Sequence, residues 1–535
     1  MGSEKRPPET LKALAEESFA RWRERPALTS MGVTLRYGEV ERLSGAFGAF
    51  LRRELGLAPG ERFAIVLPNL LQYPVALLGA LRAGITVVNV NPLYTAAEMQ
   101  YQLADSGAAA VLVLENFAHT LEHALAGTRV RRVVTTQAGD LFPAARRLAT
   151  NLVAKGKIQP WRLPGAVAFR RALSRKLSLP EVAVAPDEVA LLQYTGGTTG
   201  RPKGAVLTHV NMAANVVQTA AWVGAALKAG TETVVTALPL YHIFALTANL
   251  LVFLQLGGRN VLIADPRNLS SLVRTLKRER FSAITGVNTL YQALIEAPGF
   301  GGIDFSGLKL AVAGGMAVSR DVAERWQAVT GVPLIEGYGL TEASPIVCAN
   351  PADARGFSGK LGLPVASTEV TIRDERGVEV AQGETGEICV RGPQVMRGYW
   401  NAPEETAQAF FPGGWLRTGD LGRMDEPGAL EFIERLKDVI VVAGFKAYPA
   451  EIEAVARAHP GVKDAGAVGV PHPRTGEAVA LFVVKRDPAL SAEALAAHCA
   501  ERLAPYKRPV RIEFRDALPK SPLGKVLHRS LKASV

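Results

Sequence analysis

The sequence predicts an α/β fold. A large N-terminal domain made of two βα sheet subdomains and a small β-rich subdomain is followed by an α+β C-terminal domain. Three observations carry the prediction. Up to about residue 359, short apolar runs alternate with longer stretches of helical periodicity, the pattern of parallel strands covered by helices. Beyond Gly359 the runs shorten and are bounded by Gly, Pro and Asp, as in a small β-rich unit. From Asp438 strands and helices mix over about a hundred residues. At 535 residues the chain exceeds what one core supports, and the segments expected are 1–190, 191–359, 360–435 and 436–535.

The elements follow in order. Phe63–Leu67 reads as a strand, Tyr73–Ala83 as a helix, Thr86–Asn89 as a strand, Thr95–Ala104 as a helix and Ala109–Val113 as a strand. After Val189–Leu192, a buried strand by its apolar run, a helix is expected through Asn211–Trp222. Strand Thr233–Ala237, a buried helix from Ala245 to Leu256 and strand Asn260–Ala264 come next. They are followed by helix Leu269–Glu279 and strands Ser282–Thr285 and Leu308–Val312. Thr368–Arg373, Gly386–Arg391 and Gly428–Ile433 are the short strands of the β-rich unit. The last module reads as Val439–Val442, helix Pro449–Ala458, strands Val462–Val470 and Glu477–Val484, helix Leu490–Leu503 and strand Arg511–Phe514.

Composition narrows the function classes. Three dispersed cysteines, Cys348, Cys389 and Cys499, form neither a metal-ligand spacing nor a disulfide framework, so a reducing, cytoplasmic setting is expected. Nothing at the start of the chain reads as a signal peptide, and no run of apolar residues is long enough to span a bilayer. The net charge of +11 is concentrated: nine Lys or Arg and no acid lie between Arg146 and Pro180, interleaved with Leu152, Val153, Trp161, Leu163, Phe169 and Leu173. Such a segment suits a peripheral contact with the inner face of a membrane, or is simply a solvated insertion. Nucleic acid is the weakest reading, since no finger or helix-turn-helix accompanies the charge. No histidine spacing suits zinc, and no Gly-x-Ser-x-Gly elbow appears.

Chemistry concentrates in a few runs. Tyr194-Thr-Gly-Gly-Thr-Thr-Gly-Arg-Pro-Lys-Gly204 places four glycines, three threonines and two cations after a strand. Successive amides in such a turn form an anion nest, and Lys203 adds charge, so a polyphosphate is the expected guest. Glu336-Gly-Tyr-Gly-Leu-Thr-Glu342 follows an apparent strand end at Leu334-Ile335, offering an aromatic ring and a hard oxygen donor suited to Mg²⁺. Ala313-Gly-Gly-Met316 repeats the theme. Trp415-Leu-Arg-Thr-Gly-Asp420 sets an acid in a Gly-turn, able to accept two hydroxyls such as those of a ribose, with Arg435 downstream.

Together these runs resemble the adenylate-forming superfamily of acyl-CoA synthetases, luciferases and peptide-synthetase adenylation domains, from about Tyr37 to Leu531. Within it the likeness is to bacterial long-chain fatty-acid–CoA ligases. The motifs Asn89-Val-Asn-Pro-Leu-Tyr94, Pro239-Leu-Tyr-His-Ile-Phe244, Gly392-Pro-Gln-Val-Met-Arg-Gly-Tyr-Trp400, Gly444-Phe-Lys-Ala-Tyr-Pro-Ala-Glu451 and Leu518–Lys525 complete the set. The resemblance implies that Thr195, Gly196, Gly197, Thr198, Thr199, Gly200 and Lys203 handle the β- and γ-phosphates of ATP. Gly314, Gly315, Glu336, Gly337 and Tyr338 hold the adenine side. Thr341 contacts the α-phosphate, and Glu342 and Thr198 serve Mg²⁺. Asp420 takes the ribose hydroxyls with support from Arg435. Lys437 marks the hinge of a mobile C-terminal domain. Gly444, Phe445 and Lys446 face the site for thioester formation with CoA, Lys525 is the lysine of adenylation, and His242 stands between acyl pocket and CoA tunnel.

The implied function is ATP-dependent activation of a medium- or long-chain fatty acid to an acyl-adenylate, then transfer to CoA. Two alternatives stay open at this point: an aryl or short-chain carboxylate–CoA ligase, and a catalytically inactive adenylate-binding protein. A homodimer is equally open. Tyr241-His-Ile-Phe-Ala245 has no acid to meet an ammonium, against an amino-acid substrate, and His528 stands where the family often has Arg.

Overall fold

The structure is a computed structural model that describes residues 7–174, 177–195, 202–426, 428–521, 524 and 526–534. The expected fold class holds. The chain forms two compact units: Met1–Gly359 with Pro364–Glu369 and Arg391–Ala409, and Lys360–Leu363 with Val370–Val390 and Phe410–Val535.

The first unit is built on two mainly parallel sheets. One runs in the order Val167–Ala168, Arg132–Thr136, Ala110–Leu114, Arg62–Val66, Thr86–Asn89, Val189–Tyr194, Gly204–Thr208. Its last pair is antiparallel and the rest are parallel. The other includes Ile346–Ala349, Leu334–Gly339, Leu310–Ala313, Ala283–Gly286, Thr233–Thr236, Arg259–Leu262, Pro26–Ser30 and Val33–Arg36, in that order. Strands such as Ala110–Leu114 and Ala283–Gly286 are buried throughout, because helices cover both faces; that is why they read as unbroken apolar runs. The sheets exchange chain: the hairpin of residues 26–36 joins the second sheet, and strands 189–208 close the first.

Local sequence explains where the helices start. Thr95 and Glu98 form a capping box at helix Ala96–Ser106, which ends on Gly107 in the left-handed region. Thr208 and Asn211 do the same for His209–Val223. Helices Tyr37–Arg53 and Gln72–Arg82 touch backbone to backbone: a Cβ on Gly48 would lie 2.5 Å from the Gly79 carbonyl. The buried helix expected from Ala245 to Leu256 is present, but its middle, Leu246–Leu251, is a π-helix.

The second unit carries an antiparallel sheet in which Trp415–Met424 pairs with Gly386–Arg391, Phe410–Phe411 and Leu430–Arg435. A further sheet has Phe445–Ala447, Ile440–Val442, Gly476–Lys485 and Val462–His472 in order, with Arg511–Phe514 parallel to Gly476–Lys485. Helices Pro449–Arg457 and Ala492–Arg502 complete its core around Ile452, Leu481, Leu495 and Cys499. The three cysteines are free and buried. Among the described residues no helix is long and apolar enough to cross a membrane.

Candidate functional site

The glycine-rich run bridges two antiparallel strands, so its neck is a hairpin. Tyr194 lies opposite Gly204, and the Thr195 amide donates to the Lys203 carbonyl at 2.9 Å. The tip, with Gly196, Gly197, Thr198, Thr199 and Gly200, lies outside the described residues, as does Lys525. The neck is clamped to helix Ala96–Ser106. The Tyr194 hydroxyl donates to the Asp105 carboxylate and the Tyr101 hydroxyl to the Pro202 carbonyl. Burial, and then Asp105, push the Tyr194 phenol far above its ordinary range, so it stays a donor.

A third segment lies along this neck. The Trp400 amide donates to the Gly204 carbonyl at 2.7 Å, and Tyr399 bridges Ala205. The Lys203 ammonium sits 5.1 Å from the centre of the Tyr399 ring, and the Tyr399 hydroxyl donates to Glu342 Oε1 at 2.8 Å. One tyrosine therefore separates the lysine of the glycine-rich run from the candidate metal carboxylate and touches both. The sequence quoted Tyr399 within a motif but assigned it no role.

Glu342 lies on the single turn Thr341–Ala343 that follows strand Leu334–Gly339. This corrects the reading of a strand ending at Ile335: the strand runs through Glu336, Gly337 and Tyr338 to Gly339, where it pairs with Ile346–Ala349. Gly339 is obligatory by space, since a Cβ there would lie 2.0 Å from the Pro345 carbonyl oxygen. Glu336 is buried, and burial pushes its carboxyl up to about 7. Its Oε1 accepts the Val318 amide, while its buried Oε2 has no hydrogen-bond partner among the described residues. Gly314 and Gly315 follow the neighbouring strand Leu310–Ala313, and Gly315 takes a φ of 78°. These strand ends form the kind of crevice where open α/β sheets take ligands.

His242 caps the buried helix, its Nδ1 accepting the Phe244 amide at 3.3 Å. Desolvation of the half-buried ring lowers its pKa to about 4, so the imidazole is neutral. Its loop is pinned from two sides. Asn69 bonds the Thr236 and Leu238 carbonyls and the Leu240 amide, and Gln193 Nε2 donates to the Tyr241 carbonyl at 2.9 Å. Gln193 directly precedes Tyr194, so one strand end sets both the neck of the glycine-rich run and the His242 loop. No sequence signal marked Gln193 or Asn69.

In the second unit, Asp420 is not in a turn as expected. It lies within the long strand Trp415–Met424, opposite Arg435, where the pairing with Gly386–Arg391 is irregular beside Gly419, whose φ is 70°. Asp420 is buried, and Arg435 Nε lies 2.6 Å from its Oδ1. Lys437 occupies the single turn Leu436–Asp438, where burial lowers its pKa. Gly444, with a φ of 86°, makes the hairpin turn that presents Phe445 and Lys446. Phe445 is exposed and stacks on Tyr506 with ring centres 5.1 Å apart. Lys520, five positions before Lys525 in the sequence, pairs with Asp464 at 2.6 Å and bridges Val526. His528 bonds Glu453 at 2.7 Å and Asp438 at 3.3 Å. Burial works to lower its pKa, but the two carboxylates outweigh it and raise it to about 9. The departure from Arg thus retains a cation at that position.

The sequence matches the AMP-binding enzyme family over residues 15–400 and the AMP-binding enzyme C-terminal domain over residues 451–525. It is 50% identical over 529 residues to the long-chain-fatty-acid–CoA ligase of Escherichia coli O157:H7, covering 98% of this chain and 94% of that one. The likeness to the long-chain-fatty-acid–CoA ligase of Haemophilus influenzae is 47% over 519 residues, covering 95% and 92%. Among solved structures, the ATP-bound RpMatB-BxBclM chimera B3 is similar with a TM-score of 0.85 and 28% identity, covering 97% of this chain and 98% of the other.

Proposed function

This chain belongs to the AMP-binding enzyme family, and from that premise we propose the two-step reaction it performs. It is a fatty-acid–CoA ligase of the long-chain class. A fatty-acid carboxylate oxygen attacks the α-phosphorus of ATP, giving acyl-adenylate and pyrophosphate. The CoA thiol then attacks the adenylate carbonyl, giving acyl-CoA and AMP. The observation that carries this reading is the likeness to long-chain-fatty-acid–CoA ligases along nearly the whole chain.

A carboxylate is a poor electrophile, and its activation asks the protein for position and charge more than for covalent help. Lys203 and the glycine-rich loop neutralise the β- and γ-phosphates. Glu336, Gly337, Tyr338, Gly314 and Gly315 take the adenine side, where the unpartnered Glu336 Oε2 suits an exocyclic amine. Thr341 meets the α-phosphate. Asp420, oriented by Arg435, accepts the ribose hydroxyls. Lys525 stabilises charge in adenylation, Lys437 is the hinge, and Gly444, Phe445 and Lys446 serve the thioester step. Neutral His242 neither attracts nor repels the substrate carboxylate, and its position fits the wall between acyl chain and thiol.

Glu342 is a hard oxygen donor on the other side of Tyr399 from Lys203, and no group of three His, Cys, Asp or Glu gathers among the described residues. That fits Mg²⁺, which takes one or two protein carboxylates and is held mainly by substrate phosphates and water. When bound, it supplies charge neutralisation at the phosphate oxygens. The substrate is poorly soluble in water, and the acid-free segment 146–176 is the part of the chain suited to meet it at an anionic surface.

The test is a substrate panel from acetate to stearate, with benzoate and 4-coumarate, in the presence of ATP, Mg²⁺ and CoA. Palmitate should release AMP and pyrophosphate and form palmitoyl-CoA. Thioester from benzoate or acetate alone would overturn the assignment of substrate class.

A further inference from the structure

Helix Ala144–Lys155 is turned the opposite way from an ordinary surface helix. Its polar side faces the protein. Asn151 Oδ1 accepts the Gly139 amide at 2.8 Å, and a Cβ on Gly139 would lie against Thr150 and the Arg147 backbone. Residues 145, 148, 149, 152 and 153 share the opposite side at helical spacing and are all exposed. Leu148, Leu152 and Val153 are 72%, 68% and 79% exposed. Arg146, two turns before Val153 on the same side, donates to the carbonyls of Met31 and Gly32. Those bonds tie residues 31–32 to the start of the helix, and Met31 is itself exposed.

The rest of the basic segment behaves differently. Leu163 and Phe169, expected at an interface, are buried in the core, so the outward apolar surface is concentrated on this one helix. Lys155 and Lys157 at its C-terminal end are exposed, and no acid interrupts the sequence from Arg146 to Pro180.

We propose that this face docks on an anionic lipid surface. Leu148, Leu152 and Val153 enter the acyl boundary while Lys155 and Lys157 meet lipid phosphates. Charge selects the occupant. A second copy would set the same acid-free segment against itself, in a protein of net charge +11, and like charges placed opposite one another oppose association. An anionic headgroup layer supplies the complement. The proposal deepens the surface contact named above but does not depend on which reaction the protein catalyses, since vesicle binding is read without turnover.

The experiment is flotation of the full-length protein with vesicles of phosphatidylglycerol and phosphatidylcholine, compared with phosphatidylcholine alone, at low and high salt. Binding should require phosphatidylglycerol and weaken as salt rises. The triple variant L148S/L152S/V153S and the double variant K155E/K157E should each lose about tenfold or more of that binding. Both should keep turnover of a medium-chain fatty acid supplied in solution without vesicles, which reports that they fold. Vesicle binding that survives the triple variant overturns the proposal. So does lipid-free self-association of the wild type that the triple variant abolishes, which would make the face an interface between copies.

Discussion

Tyr399 holds the two ends of the charge system apart. Its ring lies under the Lys203 ammonium and its hydroxyl on Glu342, so each charge has a partner that is not the other. Tyr399→Phe keeps the ring and removes only the hydroxyl. A hydrogen bond to a charged group contributes about 1.5–3 kcal/mol, so pyrophosphate release should slow roughly tenfold to a hundredfold. The Mg²⁺ concentration for half-maximal rate should rise, with little change in Tm. An unchanged Mg²⁺ dependence would deny Tyr399 this role. His528 allows a pH prediction with a definite sign. Its pKa is raised from 6.5 to about 9 in the fold, so its contribution is full below about pH 6.5 and is lost as pH rises through about 9. The amount is roughly 3 kcal/mol. Urea unfolding of the wild type should weaken across that window, and His528→Gln should flatten the slope; parallel curves would remove His528 as its source.

Elements were legible where burial imposes a strict pattern. Thr86–Asn89 and Gly386–Arg391 match the expected strands residue for residue: the first is buried throughout, and in the second only the terminal Arg391 is exposed. Glu336–Gly339 was misread because glycines usually break a strand; here Gly339 is kept by the Pro345 carbonyl, which the chain brings against it when Ile346–Ala349 folds back as the paired strand. Asp420 was misplaced for the same reason, its Gly419 marking an irregularity inside a strand and not a turn. Residue types with chemistry were visible in motifs, whereas Gln193, Asn69 and Tyr399 act through neighbours brought together by the fold. Gly339→Ala tests the strand reading: the added carbon must displace backbone, so stability should fall by about 1–3 kcal/mol or more. Nucleotide affinity should fall with it. A variant with wild-type Tm would show that the Leu334–Gly339 and Ile346–Ala349 pair is looser than described.

For the whole molecule, the alternation of apolar runs with helical periodicity correctly pointed to an α/β fold, whereas Leu163 and Phe169 of the basic segment lie in the core and not at the surface. The two-step reading makes opposite demands on two lysines of the second unit. Lys525→Ala should cripple acyl-adenylate formation, at a cost of about 3 kcal/mol or more of transition-state stabilisation, while sparing conversion of a supplied acyl-adenylate to thioester. Lys437→Pro should do the reverse, preserving pyrophosphate release and abolishing thioester release, because proline fixes φ at the turn Leu436–Asp438. Rapid quench of each half-reaction separates them, and equal losses in both would contradict the division of labour.

The burial of Cys348, Cys389 and Cys499 gives the folded protein no readily accessible thiol. Burial pushes the Cys389 thiol up to about 12 and raises those of Cys348 and Cys499, so little thiolate forms near neutrality. A chromogenic disulfide reagent added to the native enzyme should therefore develop almost no colour, and in denaturant it should titrate three equivalents per chain. Rapid native labelling of any one cysteine would contradict this. The sulfhydryl consumed during turnover is then that of CoA alone, and its disappearance can be read against a silent background.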